Sequence, residues 1–201
     1  MVVHELFPTV VGEYRIGRDF TEKEKNVFRS VTEMTHNVGN LNSIDKSVLD
    51  KRDLRSIKEK ITESVQDYID TIHKPISKVS PYVTQSWINY TNENQWHHKH
   101  NHNNSFLSGV LYIYADSSVD KITFHDDTYN QVNITPKEYN RLNCQSFDIG
   151  VGTGDIFIFP SRLTHEVKVS SNKNPRISLS FNTFIKGCIG QRDYMTELTL
   201  K

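Results

Sequence analysis

Residues 52–73 carry the sharpest alternation of apolar and polar positions in the chain. Leu54, Ile57, Ile61, Val65, Tyr68 and Ile72 recur at intervals of three and four, with charged residues between them. That period places all six on one stripe of a helix. Pro75 follows the run, where a proline commonly marks a helix end. A shorter helix is expected over 20–34, starting near Thr21. Residues 2–16 read as extended and broken at Pro8, and THNVGNLNSIDKS (35–47) reads as a loop.

After Pro81 the period changes. Runs rich in β-formers fall at 82–90, 105–114, 119–125, 129–134, 146–150, 155–160, 165–170 and 176–185, with turn residues between them. Evenly spaced short strands without intervening helices point to an antiparallel sandwich or barrel. The expected fold is therefore mainly β with N-terminal helices. In a single domain, residues 1–80 form a helical buttress, 82–185 the β core and 186–201 a tail.

Composition narrows the function classes. A chain of 201 residues suits one domain with a sizeable core. Its 24 Lys and Arg balance 24 Asp and Glu, so no basic excess drives binding to nucleic acid. The two cysteines, Cys144 and Cys188, lie far apart in no CxxC arrangement. The start lacks a signal-peptide pattern, and no run approaches the ~20 apolar residues needed to span a bilayer. A reduced, cytoplasmic setting without membrane association is expected.

The chemistry concentrates in QWHHKHNHNN (95–104), which holds His97, His98, His100 and His102. If 96–102 is extended, Trp96, His98, His100 and His102 share a face, because alternate strand residues do. Two imidazoles at i and i+2 can reach one metal ion, with a further ligand from elsewhere. A histidine- and asparagine-rich surface tract fits the same segment.

The second half of the chain adds His165 at the start of a strand and Arg176 eleven positions later. On that later strand Arg176, Ser178, Ser180 and Asn182 share one face, and Ile177, Leu179 and Phe181 the other. The polar face suits either solvent or a polar pocket. In a pocket, the guanidinium fork matches a carboxylate. The pieces together describe a metal site beside a carboxylate site.

This constellation resembles the Fe(II)/2-oxoglutarate-dependent oxygenases. It is most similar to the small group with an HxHPxSxLSGVYY … GDLxxFPSxxxHxV … RxSxSFN signature, distantly related to prolyl 4-hydroxylases. The matching segments are HNHNNSFLSGVLYI (100–113), GDIFIFPSRLTHEV (154–167) and RISLSFN (176–182), and LFPTVVGEY (6–14) resembles the group's opening. The resemblance implies a double-stranded β-helix, the jelly-roll or cupin-like core. It implies iron held by His100, His102 and His165, with His102 where most of these oxygenases carry Asp or Glu. It implies 2-oxoglutarate on Arg176, with Ser178 beside it.

Tyr112 and Tyr90 resemble tyrosines of the prolyl hydroxylase cofactor pocket, although a half-buried strand aromatic fits either position equally. With Fe(II), 2-oxoglutarate and O₂, the implied reaction hydroxylates a C–H bond and releases succinate and CO₂. A small molecule, an amino acid or a protein side chain such as proline is the implied substrate. His97, His98 and His125 receive no role from the resemblance and are expected at the mouth or in solvent. Asp126 and Asp127 are alternative ligands. The N-terminal helices and the 126–147 segment are candidate lids. Two rivals are a cupin-like metal-dependent isomerase and a metal-binding jelly roll without oxygenase activity. Cupins usually place a Glu shortly after HxH, which HNHNNSFLSG lacks.

Overall fold

The computed structural model describes residues 1–128, 132 and 134–201. The chain opens with β1 (Gly12–Arg15), α1 (Glu22–Ser30), β2 (Met34–His36), β3 (Leu41–Ser43) and α2 (Arg55–Tyr68). Eight strands follow: β4 (Val79–Thr91), β5 (His97–His100), β6 (Leu107–Tyr114), β7 (Lys121–His125), β8 (Ser146–Gly150), β9 (Asp155–Pro160), β10 (His165–Val167) and β11 (Arg176–Ile189). A last strand, β12 (Leu198–Leu200), pairs back onto β11.

Strands β4 to β11 divide between two antiparallel sheets. The larger runs β1-β9-β6-β11-β4-β3-β2 and the smaller β5-β10-β7-β8. The chain crosses from one sheet to the other along this order, which is the double-stranded β-helix arrangement.

Two apolar layers hold it together. Between the sheets lie Val110, Tyr112, Ile122, Phe124, Val151, Phe157 and Phe159. On the far side of the larger sheet, Ile57, Ile61, Val65 and Tyr68 of α2 pack with Ile88, Leu111, Ile156, Ile158, Leu179 and Phe181. The middle strands β6 and β9 are covered on both faces. Their sequences, LSGVLYIY and DIFIFP, are therefore near-continuous apolar runs rather than alternating ones.

Several sequence expectations need correction. The first 80 residues are not only a helical buttress, because β1, β2 and β3 join the larger sheet. The stretch 35–47 read as a loop contains most of the β2–β3 hairpin. The core begins at Val79 and ends at Ile189, so 186–201 is partly strand. The run at 129–134 lies largely outside the described residues.

The long helix also departs from its stripe at one end. Residues Ile69–His73 form a π turn, with the Lys74 amide donating to the Ile69 carbonyl at 3.1 Å. The wider turn advances the phase. Ile69 is therefore buried, and Ile72, expected on the apolar stripe, is exposed.

The N-terminal helix starts where its composition suggests. The Thr21 side chain accepts the Glu24 amide, and the Glu24 carboxylate accepts the Thr21 amide at 2.7 Å. This reciprocal capping box satisfies two otherwise unpaired donors. Among the described residues no helix is long and apolar enough to cross a membrane.

Candidate active site

Strand β5 is an edge strand of the smaller sheet, and its register against β10 decides which histidines face inward. His165 pairs with His100, but Val167 pairs with His97. Four residues of β5 (97–100) therefore oppose three of β10 (165–167) over this span. Such a bulge breaks strict alternation. His97 and His100 consequently face the same way, with rings stacked at 4.5 Å and 20° between their planes. Simple alternation had put His98 with His100 and left His97 out.

Just beyond β5, the chain turns through Asn104, whose φ is 55°. Here the His102 amide donates to the Ser161 carbonyl at 2.9 Å. This tie brings His102 back toward His100 and His165. Ligand-capable atoms of His100, His102 and His165 lie within 4.8 Å of one another. The ring centroids of His100 and His165 are 4.4 Å apart, and those of His102 and His165 5.2 Å.

Tautomers follow from the backbone. His100 Nδ1 lies 2.6 Å from the His98 carbonyl, and His165 Nδ1 lies 2.9 Å from the Leu163 carbonyl. A carbonyl only accepts, so each Nδ1 carries the proton and each Nε2 keeps a free lone pair.

Burial keeps these rings neutral. It pushes the His165 pKa down to about 3, with His100 and His102 adding repulsion between charged forms and the Leu163 contact opposing. The pKa of His102 falls to about 4, by burial and then by His100. Burial lowers that of His100 as well, against a raising contribution from the His98 carbonyl. Neutral imidazoles with free Nε2 lone pairs are the state a metal requires.

Ligand-capable atoms of a second group, His97, His98 and His100, also lie within 4.8 Å of one another, so the two groups share His100. His97 Nε2 is already 3.0 Å from Asn37 Nδ2. Neither three-histidine group includes a carboxylate among the described residues. Asp127 instead pairs with Lys99 at 2.9 Å and accepts the Thr164 hydroxyl, while Asp126 accepts the Thr128 amide at 2.9 Å. His125 Nε2 sits 3.0 Å from Glu166.

His100, His102 and His165 share a cavity with Tyr112, Arg176, Ser178, Ser180, Asn89, Trp87 and His97. Arg176 is 4% exposed. One of its Nη atoms donates to the Lys121 carbonyl at 3.0 Å, and its Nε has no hydrogen-bond partner. The Tyr112 ring centre lies 5.9 Å from its guanidinium carbon. Burial opposes the charge of Arg176, while Tyr112 and Asp120 favour it. An arginine with an unpartnered buried donor is left wanting an anion.

The cavity itself is narrow, about 30 Å³. It holds one or two waters as it stands, so a dicarboxylate enters only as the lining side chains part.

Tyr90 is not in this cavity. It lines a separate groove on the opposite face of the larger sheet with Ile113 and Ile177. Asn89, its neighbour on β4, points into the site instead, and its Oδ1 is buried without a partner. Strand alternation could have found Asn89, because it pairs directly with Ser178.

The signature serines outside the cavity have a structural part. Ser108 bonds Ser161 at 2.8 Å and donates to Asn182 Oδ1 at 2.8 Å, and Ser161 donates to Ser105 at 2.8 Å. This hydroxyl chain secures the Ser161 backbone that holds His102.

Comparison with known proteins agrees with this geometry. Residues 85–182 match the family model described as "Putative 2OG-Fe(II) oxygenase". That match spans just under half of the chain, and over it the sequence is similar to the 2OG-Fe(II) oxygenases. Those enzymes use iron(II) and 2-oxoglutarate, with O₂ as co-substrate.

Among solved structures, the fold is similar to a 2OG-Fe(II) oxygenase family oxidoreductase from Burkholderia pseudomallei. The two are 10% identical, with 82% of this chain and 79% of that one covered and a TM-score of 0.56. The non-heme alpha-ketoglutarate-dependent epimerase SnoN of nogalamycin biosynthesis is 11% identical, with coverages of 88% and 78% and a TM-score of 0.60. A Pseudomonas putida prolyl-4-hydroxylase is 11% identical, with coverages of 87% and 92% and a TM-score of 0.51. A search of curated proteins returns no match. At these identities the solved structures speak to the fold.

Proposed function

We propose that the protein is a dioxygenase that hydroxylates an amino acid or a protein side chain such as proline, releasing succinate and CO₂. His100, His102 and His165 would hold iron(II) through Nε2. Arg176, with Tyr112 and Ser178 beside it, would take the far carboxylate of 2-oxoglutarate. The bound iron and 2-oxoglutarate supply the oxidising chemistry with O₂. The protein's own part is to fix the His100 and His165 rings by their backbone contacts and His102 through its amide, pair the dicarboxylate with a buried cation and keep water out.

The observation that carries this reading is the pairing of two features in one cavity. Three neutral imidazoles sit there with an almost fully buried arginine whose Nε lacks a partner. A cupin-like isomerase or a plain metal-binding module has no use for that arginine. The amino-acid or protein substrate is supported by the fold's similarity to a prolyl-4-hydroxylase and to a prolyl hydroxylase crystallised with a peptide fragment of hypoxia inducible factor.

The test is anaerobic reconstitution with Fe(II), addition of 2-oxoglutarate, and succinate measurement after exposure to O₂. Free amino acids and proline-containing peptides form the substrate panel. Succinate formation that rises with one member of the panel is the expected result. A protein that binds iron but never turns over 2-oxoglutarate is a metal-binding jelly roll instead.

A further inference from the structure

His97 was expected at the mouth or in solvent, yet it lies in the wall of the active-site cavity. The β5 bulge turns it inward, and its ring stacks on His100. The β2–β3 hairpin holds it from behind. Asn37 Nδ2 is 3.0 Å from His97 Nε2 and also donates to Asn40 Oδ1 at 3.1 Å. An amide nitrogen only donates, so His97 Nε2 accepts and the ring proton sits on Nδ1.

The hairpin is itself fixed against this segment. The Trp96 amide donates to the Gly39 carbonyl at 3.1 Å. Gly39 has φ +91°, and a Cβ there would meet the Trp96 carbonyl oxygen at 2.5 Å. Only glycine allows that approach.

We propose that His97 is a positioning residue for the 2-oxo acid, its Nδ1–H donating to the keto-acid end beside the metal. The inference rests on the reading of His100, His102 and His165 as iron ligands and Arg176 as partner of the far carboxylate. His97 packs on the ring of an iron ligand, so its donor serves the metal end. Asn37 occupies the other nitrogen and so selects this tautomer over one that would make His97 a metal ligand. The N-terminal hairpin thereby reaches into the chemistry of a site built by the core strands.

The test compares wild type, His97→Phe, His97→Gln, Asn37→Leu and Arg176→Ala as full-length proteins under anaerobic conditions. Iron stoichiometry is measured first. Affinities for 2-oxoglutarate and for pyruvate then follow from the metal-to-ligand charge-transfer absorption. All variants are expected to keep one equivalent of iron. His97→Phe, which keeps a ring without a donor, is expected to weaken both acids by the same factor, about tenfold. His97→Gln recovers part of that loss, and Asn37→Leu falls between. Arg176→Ala weakens 2-oxoglutarate alone, because pyruvate lacks the far carboxylate.

Unchanged affinities in His97→Phe overturn the proposal. So does a loss confined to 2-oxoglutarate, which would place His97 at the far carboxylate, and so does loss of iron, which would make His97 a ligand. Should His97→Phe fail to fold, wild-type affinities in Asn37→Leu overturn it equally. A wild-type protein that binds iron but neither acid overturns the functional reading itself. Wild-type binding with an indifferent His97→Phe overturns only the role of His97.

Discussion

His100 and His165 face each other as register partners on adjacent antiparallel strands, their ring centroids 4.4 Å apart. Neither depends on a flexible loop for its position, and each has its Nδ1 tied to a backbone carbonyl two residues earlier. A site built on paired strands holds its geometry before any metal arrives. Replacing His165 with Ala should abolish stoichiometric Fe(II) binding. The loss should exceed the ~10–100-fold that removal of an outer partner costs. Anaerobic titration against wild type reads it directly. Retention of one equivalent at wild-type affinity would exclude His165 as a ligand.

How much of this was legible in the sequence depends on where local rules held. The face shared by Arg176, Ser178 and Ser180 follows from strand alternation, and all three line the cavity. The stripe of α2 was legible through Tyr68 and lost at Ile72, because the π turn depends on tertiary packing and leaves no periodic trace. His97 was missed for a similar reason, since a bulge shifts the face by one residue without announcing itself in composition. The β2–β3 hairpin hid in a segment of Asn, Gly and Ser, which reads as loop unless its pairing with β4 is known.

Arg176 should carry the distinction between an oxygenase and any other metal-binding jelly roll. Its guanidinium is buried and has an unpartnered Nε. Arg176→Ala should weaken 2-oxoglutarate binding by roughly 2–5 kcal/mol, the usual penalty for removing one partner of a desolvated ion pair. Iron should stay bound. Arg176→Lys should fall between, because a point charge cannot reproduce a two-pronged contact. Isothermal titration of the iron-loaded protein measures both. Equal affinity of wild type and Arg176→Ala would remove the basis for the oxygenase reading.

The two tyrosines should separate cleanly. Burial raises the Tyr112 pKa to about 12, against a lowering contribution from Arg176, so its hydroxyl remains a donor at neutral pH. It lines the cavity beside Arg176, whereas Tyr90 lines the groove on the far face of the sheet. Tyr112→Phe should cost about 1.5–3 kcal/mol of 2-oxoglutarate affinity, the range for a hydrogen bond to a charged group. Tyr90→Phe should leave that affinity unchanged. A loss in Tyr90→Phe matching that of Tyr112→Phe would contradict the placement of β4.

The last prediction concerns acid stability and turns on Glu24. This carboxylate is 2% exposed and accepts both Nη atoms of Arg18, at 2.8 and 2.6 Å, besides the Thr21 amide. Burial alone would raise its pKa, but Arg18 and the Thr21 contacts outweigh that and hold it below the usual carboxylate value. A carboxylate whose folded pKa is depressed stabilises the fold above its unfolded pKa. That contribution is lost as pH falls through the folded value. The protein should therefore lose stability as pH drops below the ordinary glutamate range, with part of the loss tied to this one group. Glu24→Gln removes the charge and keeps the shape. It should lower stability at pH 7 by about 1–2 kcal/mol, discounted because Arg18 is itself about one-third exposed. The difference between wild type and Glu24→Gln should shrink toward zero in acid, where the wild-type carboxyl is also neutral. Denaturant melts of both proteins at pH 7 and at pH 3 measure it. A difference that stays constant across that range would show that Glu24 acts through packing and not through its charge.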